Sequence, residues 1–254
     1  MRFYLGTHET SWLRKTDVPL FISRVRLALR KSCPRALGRW ALDSGGFTEL
    51  TKHGGWSITP VQYVAEVRRW RDEIGKMDWA AIQDWMCEPH MLAKTGKTVA
   101  EHQRLTIESY LTLRDLAPEI TWAPVLQGWT PRDYYEHVDQ YEAAVVDLAA
   151  LQVVGLGSVC RRQHMTRISH LILMLSHLKL HGFGFKTLGL RKCHNQLASA
   201  DSMSWSIDAR KKAPIPGHTH KNCANCLEYA LAWRSRLLVG LGRNEQGLLD
   251  LEAA

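Results

Sequence analysis

Trp40-Ala41-Leu42-Asp43-Ser44-Gly45-Gly46-Phe47 is a short apolar run that ends on a carboxylate and leaves through two adjacent glycines. The run suits a strand, and the glycines suit a tight turn toward a following helix. The same construction recurs along the chain. Phe3–Gly6, Pro19–Ile22, Trp40–Asp43, Asp78–Gln83, Thr121–Gln127, Leu151–Gly157, His181–Lys186 and Ser199–Trp205 are each about strand length, with Gly, Pro, Ser or Asp at their borders. Helical patterns lie between them. Val61, Val64, Val67, Trp70 and Ile74 recur every three or four residues behind a Thr59-Pro60 start, and Glu101–Leu116 and Thr166–Lys179 read the same way. Eight strands alternating with helices predict an α/β fold, a (β/α)8 TIM barrel. The rhythm breaks after Arg210, where KKAPIPGHTHKNCANC forms a loop ahead of a helix over Leu227–Val239. The expected organisation is therefore a barrel over residues 1–210, with a loop and helix over 211–254 packed on it.

The composition is compatible with this frame. A chain of 254 residues can bury a large core without staples. Its 45% apolar and 23% charged residues exclude a disordered or collagen-like chain. The 33 Lys and Arg against 25 Asp and Glu leave a formal charge of +8, which favours a polyanion such as nucleic acid as partner. No apolar window approaches the length of about 18 residues that a membrane span requires. The polar N-terminus lacks a signal core, so a cytoplasmic location is expected. Six cysteines, mostly far apart, suit a reducing compartment and a metal site better than a disulfide framework.

Polar groups fall at the ends of the apolar runs. Asp43, Asp84, Gln127-Gly128, Gly157-Ser158 and Lys186 each close one. In a barrel those ends converge on one face, where active sites are built. The plainer alternative is that they only cap strands and start helices. The glycines after Asp43 would let a flat ligand approach the backbone, and Phe47 would offer it a ring. Asp201, on the last run, supplies a second carboxylate. Two carboxylates from different strands suffice to cleave a glycosidic bond, one attacking the anomeric carbon and the other managing the proton.

Taken together, DSGGF, QDWMCEP, VLQGW, VGLGS, HGFGFK and ADSMSWSIDAR, in this order, resemble the tRNA-guanine transglycosylase superfamily over roughly residues 40–235. The resemblance is closest to its shorter branch, the DpdA transglycosylases that place 7-deazaguanines into phage and bacterial DNA. It implies a (β/α)8 barrel with a zinc-binding insertion. It also implies Asp201 as nucleophile, Asp43 as general acid/base, and Phe47 and Ser44 against the base. Asp84, Gln127 and Gly128 would read the base edge, and Gly155, Leu156 and Gly157 would contribute backbone contacts. The implied partners are guanine-containing DNA, flipped or single-stranded, and a 7-deazaguanine base, with a homodimer left open.

The tRNA enzymes of the superfamily carry a C-x-C-x2-C motif with a distant His. Here His218-x-His220-x2-Cys223-x2-Cys226 stands instead, still four N/S donors for a structural Zn2+, with Cys193 or His194 as alternatives to one His. Basic residues suggest a nucleic-acid track: Arg161-Arg162 by the mouth, Arg210-Lys211-Lys212 and Lys221 around the loop, and Arg24, Arg26, Arg30 and Lys31 on one early helix. Trp85 and Trp129 are candidates for stacking, Cys87 for lining the base pocket, and Cys33 and Cys160 for buried packing. The competing readings are exchange on tRNA, an inactive zinc-containing nucleic-acid-binding barrel, and a metal-dependent barrel hydrolase.

Overall fold

A computed structural model describes residues 1–159, 162 and 166–242. Cys160 and Arg161 lie outside the described residues. Nine strands form one sheet: β1 (Arg2–Thr7), β2 (Leu20–Ser23), β3 (Trp40–Asp43), β4 (Met77–Ala81), β5 (Trp122–Ala123), β6 (Val125–Leu126), β7 (Val154–Leu156), β8 (Leu180–Gly182) and β9 (Ser199–Ser202). Their order is β5-β4-β3-β2-β1-β9-β8-β7-β6, and every pairing is parallel. The two end segments are one run of chain interrupted by Pro124, which has no N–H to give to a ladder. β5 pairs with β4 and β6 with β7, while the Pro124 carbonyl accepts the Gly155 N–H at 2.7 Å. The sheet thus comes round on itself at a single residue. Each of the eight expected runs overlaps a strand, though the run at 181–186 shares only His181 and Gly182 with β8, and the ninth arises from that proline.

Among the described residues, ten α-helices accompany the strands: α1 (Arg24–Leu27), α2 (Gly46–His53), α3 (Pro60–Ile74), α4 (Pro89–Thr95), α5 (Val99–Leu116), α6 (Pro131–Ala143), α7 (Thr166–Met174), α8 (Thr187–Cys193), α9 (Ser204–Arg210) and α10 (Leu227–Gly240). α3, α5 and α6 begin with reciprocal capping boxes, Thr59 with Gln62, Thr98 with Glu101 and Thr130 with Asp133. Each N-cap contributes about 1 kcal/mol. α3 buries Val64, Val67, Trp70 and Ile74, each aliphatic side chain worth roughly 1.5–3 kcal/mol. Val61 departs from its expected place: it is 64% exposed in the first turn, and Tyr63 takes the inward position. α7 also ends at Met174, short of Lys179.

Strand alternation separates two cores. Phe3, Leu5, Trp40, Leu42 and Ala80 face the helices, whereas Tyr4, Phe21, Ala41, Trp79, Ala81 and Ala123 form a separate inner cluster. Asp43 lies two residues beyond Ala41 on β3, and Asp201 two beyond Ser199 on β9. Inner aromatic rings therefore fill the barrel, and carboxylates appear at its strand ends. The C-terminal helix α10 is tied to the barrel through Trp233, whose ring centroid lies 6.2 Å from that of Phe3. Tyr229 Oη donates to Asp208 at 2.8 Å, and Ser206 Oγ to the Ala224 carbonyl. Among the described residues, no helix is long and apolar enough to cross a membrane.

Two expectations need correction. No early helix presents four cations, because α1 has only four residues and Arg30 and Lys31 lie beyond its end. Arg24 is buried and donates to Glu49 at 2.9 Å and to Glu66 at 2.7 Å. A guanidinium taken out of water requires such partners, so Arg24 fastens α1 to α2 and α3 and is not free to meet phosphate. Cys33 is partly exposed, because it lies in the irregular segment between α1 and β3, where its N–H donates to Glu73 at 3.2 Å.

Candidate active site

A cavity of about 530 Å3 opens at the C-terminal strand ends. Asp43, Ser44, Phe47, Asp84, Gln127, Gly157 and Asp201 are all in its wall. Apart from Phe47, on α2, they come from the ends of five strands, β3, β4, β6, β7 and β9. Gly128, Gly155 and Leu156 stand behind the wall. A Cβ on Gly128 would meet Asp133 Cβ at 2.8 Å, and one on Gly155 would meet Phe183 at 2.5 Å. Leu156 faces the helices in the outer core.

Asp84 and Gln127 form the innermost polar pair. Gln127 Nε2 donates to Asp84 Oδ2 at 2.6 Å, and Ser44 Oγ to Asp84 Oδ1 at 3.3 Å. Burial pushes the Asp84 carboxyl up to about 7, against these hydrogen bonds and with help from the Asp43 charge. Gln127 is held on every side. Its backbone N–H donates to His137 Nδ1 at 2.9 Å, its carbonyl accepts from Gln103 Nε2 at 2.8 Å, and its Oε1 accepts from Ser158 Oγ at 2.7 Å. Burial lowers His137 to about 3, so its neutral ring can accept that N–H. Ser158 also lies 2.8 Å from Glu88 Oε2, so its one hydroxyl hydrogen serves one of two oxygens at a time. Ser158 holds a φ of 54°, unusual for a side-chain-bearing residue, and this places its hydroxyl among Gln127, Glu88 and the Cys87 N–H.

Asp43 ends β3 with its Oδ1 accepting the Gly45 N–H at 3.2 Å. Gly45 has φ 77°, which its lack of a side chain permits, and it caps α2. Enclosure raises the Asp43 carboxyl above the ordinary range, opposed by hydrogen bonds from Ser23 and Gly45 and reinforced by the charge of Asp201. Asp201 is 5% exposed. Its Oδ1 accepts the Gly184 N–H at 2.8 Å and lies 3.3 Å from His181 Nε2.

Phe47 is 49% exposed at the rim. Trp129 is in the wall, with the Arg162 guanidinium 4.0 Å over its ring and Nη2 donating to its carbonyl at 2.6 Å. Trp85 turns instead toward His102, with ring centroids 5.4 Å apart. Cys87 is buried behind the wall, and burial raises its thiol. His181, Ser158, Gln103 and His137 received no role from the sequence. His181 lies on β8 within HGFGFK and Ser158 two residues past β7 within VGLGS, which is a usable signal. Gln103 and His137 are helix residues that only tertiary contact brings to Gln127.

The family model of DpdA, DeoxyPurine in DNA protein A, matches residues 1–247. The chain belongs to the DpdA family. Membership supports a part in DNA modification by deazapurine insertion. No curated protein matches the chain.

This DpdA member also carries a cluster that could hold a metal ion. The donor atoms of His218, His220, Cys223 and Cys226 all lie within 4.8 Å of one another. His218 Nδ1 is 3.3 Å from His220 Nε2 and 3.7 Å from Cys226 Sγ, and His220 Nε2 is 3.1 Å from Cys223 Sγ. A tetrahedron built on Zn–N and Zn–S bonds of about 2.0–2.3 Å has edges of roughly 3.3–3.8 Å, so the donor set fits such an ion. The other nitrogen of His218 meets Glu228 at 3.2 Å on α10, the carboxylate support common behind metal-binding imidazoles. Cys193 is buried beside Ser169 and His194 beside the Leu190 carbonyl, and neither belongs to the cluster.

Proposed function

We propose that the chain exchanges guanine in DNA for a 7-deazaguanine base through a glycosyl-enzyme intermediate on Asp201. The observation that carries this reading is that Asp43 and Asp201 reach one cavity from separate strand ends, with the hydrogen-bonded Asp84–Gln127 pair in the same wall. The cavity volume falls in the range of about 300–1,000 Å3 usual for small-molecule sites. A duplex guanine cannot reach it unless the nucleotide flips out.

In this reading Asp84 and Gln127 grip the edge of the base, and Phe47 covers its face. Asp201 attacks C1′, the C1′–N9 bond breaks, and its electron pair leaves with guanine. Asp43 donates a proton to the departing base. Enclosure raises this carboxyl above its ordinary value, the direction that favours its acting as a proton donor. The incoming deazaguanine then gives its N9 proton to Asp43 and attacks C1′, and the C1′–O bond to Asp201 breaks. Atoms and charge balance without a redox partner. The cluster at His218, His220, Cys223 and Cys226 would hold Zn2+ in a structural role, fastening the loop to α10. In this reading Trp129 and Arg162, together in the cavity wall, would meet a nucleotide beside the flipped one. The family's description names DNA, which favours DNA over tRNA as substrate.

The test is exchange of labelled guanine and of 7-deazaguanines into single-stranded DNA and into tRNA, side by side. Incorporation into DNA alone is the expected result. Incorporation into tRNA alone would replace the substrate, and incorporation into neither would favour a binding barrel.

A further inference from the structure

His181 belongs to no step described above, yet it is fully buried against Asp201. It stands on β8, with four aromatic rings around it. Their centroids lie at 4.6 Å for Trp79, 4.8 Å for Phe183, 5.4 Å for Phe21 and 5.9 Å for Tyr4. Among the described residues, two polar groups touch its ring. Nε2 lies 3.3 Å from Asp201 Oδ1, and Nδ1 lies 2.9 Å from Ser199 Oγ.

These contacts fix the tautomer. An ionised carboxylate only accepts, so Nε2 must carry the hydrogen that faces Asp201. In that tautomer Nδ1 accepts, and the Ser199 hydroxyl donates to it. Ser199 and Asp201 lie two residues apart on the same strand and face the same way, so one strand supplies both ends of the relay. Oδ1 thus takes two donors, His181 Nε2–H and the Gly184 N–H. With Oδ1 occupied, the other oxygen of this cavity-lining carboxylate is the one left to form a bond.

We infer that His181 is a positioning residue, which with Ser199 aims Asp201 and supports its carboxylate each time it is released. The inference rests on the reading of Asp201 as nucleophile. In the first half-reaction the imidazole N–H holds Oδ1 while Oδ2 attacks. In the second it stabilises the negative charge that returns to the carboxylate as the C1′–O bond breaks. The aromatic packing prevents the ring from turning, so the donor direction is set by the fold.

The test uses the full-length chain with His181→Leu, His181→Gln, Ser199→Ala and Asp201→Asn. Base exchange is measured for kcat and KM, and equilibrium binding of single-stranded DNA is measured in parallel. His181→Leu should lower kcat about 100-fold, the scale of a misaimed reacting group, with KM for the base and DNA affinity within about two-fold of wild type. His181→Gln places an amide N–H near the position of Nε2 and should recover most of the rate. Ser199→Ala should lower kcat with KM unchanged. A kcat for His181→Leu equal to wild type, in a variant of unchanged melting temperature, overturns the inference. If His181→Leu does not fold, Ser199→Ala decides: a fallen kcat supports the role and an unchanged one overturns it. Asp201→Asn separates the two claims. An inactive Asp201→Asn beside a fully active His181→Leu overturns only the role of His181, whereas an active Asp201→Asn overturns both.

Discussion

Gln127 Nε2 donates to Asp84 Oδ2 at 2.6 Å inside the barrel, and each side chain depends on the other for its orientation. The amide stands with its nitrogen toward the carboxylate, its oxygen held by Ser158, and its backbone clamped by His137 and Gln103. Of these groups His137 Nε2 is buried without a hydrogen-bond partner among the described residues, and breaking the remaining bonds would leave further buried groups unpaired.

Asp84 makes the stability of the fold depend on pH, and its substitution should also affect base exchange. Its folded carboxyl is pushed up to about 7 from the ordinary 3.8, so the folded state binds a proton more tightly than the unfolded chain. That contribution is complete below the ordinary value and is lost as pH rises through about 7. Asp84→Asn, uncharged at every pH, should therefore melt above wild type at alkaline pH, with the gap narrowing as pH falls below about 7 and closing near the ordinary value of 3.8. The same variant should lose base exchange, because an amide presents one acceptor oxygen where the carboxylate presents two. Melting curves across pH and exchange assays check both halves.

Gly157 is sized by its neighbour. A Cβ there would stand 2.3 Å from Gln127 Nε2, an amide that has no free space to enter. Gly157→Ala should cost roughly 1–3 kcal/mol of stability and raise KM for the base. A variant with wild-type melting and wild-type KM would show that Gln127 can yield.

Two arginines should separate cleanly. Arg24→Met leaves Glu49 and Glu66 without their buried partner and should destabilise by roughly 3–5 kcal/mol while leaving the salt dependence of DNA binding unchanged. Arg162→Ala, at the cavity wall, should weaken DNA binding and lower the salt slope by about 1. Denaturant melts and binding titrations at several salt concentrations distinguish them.

The cluster at 218–226 should carry one zinc ion per chain. Cys223→Ser should remove it, and Glu228→Gln should weaken metal affinity by about 10- to 100-fold through the support of His218. Elemental analysis and chelator competition measure both, and loss of the ion should lower the melting temperature through α10.

Legibility followed the range of the interactions. The strand runs showed because short apolar stretches bordered by Gly, Pro, Ser or Asp are local signals, and the four metal-cluster residues showed because their donors are nearly adjacent in sequence. Pro124 was visible, but its consequence, a strand cut into β5 and β6, depended on knowing which neighbours needed an N–H. Arg24 was misplaced because its carboxylates lie 25 and 42 residues away. A charge pattern does not reveal burial. Gln103 and His137 were silent for the same reason, since supporting a backbone across two helices leaves no mark in local spacing. His181 stood in plain view within HGFGFK, but its meaning came only when Ser199 and Asp201 closed on it.

The central claim is that Asp201 becomes covalently attached to the sugar. Intact-protein mass spectrometry after incubation with guanine-containing single-stranded DNA tests it directly. The wild-type chain should gain the mass of the DNA strand less one guanine, with the adduct mapping to Asp201, and the adduct should collapse when a 7-deazaguanine is added. Asp201→Asn should form none. An adduct that persists in Asp201→Asn, or base exchange by the wild-type chain with no adduct on Asp201, would contradict the account.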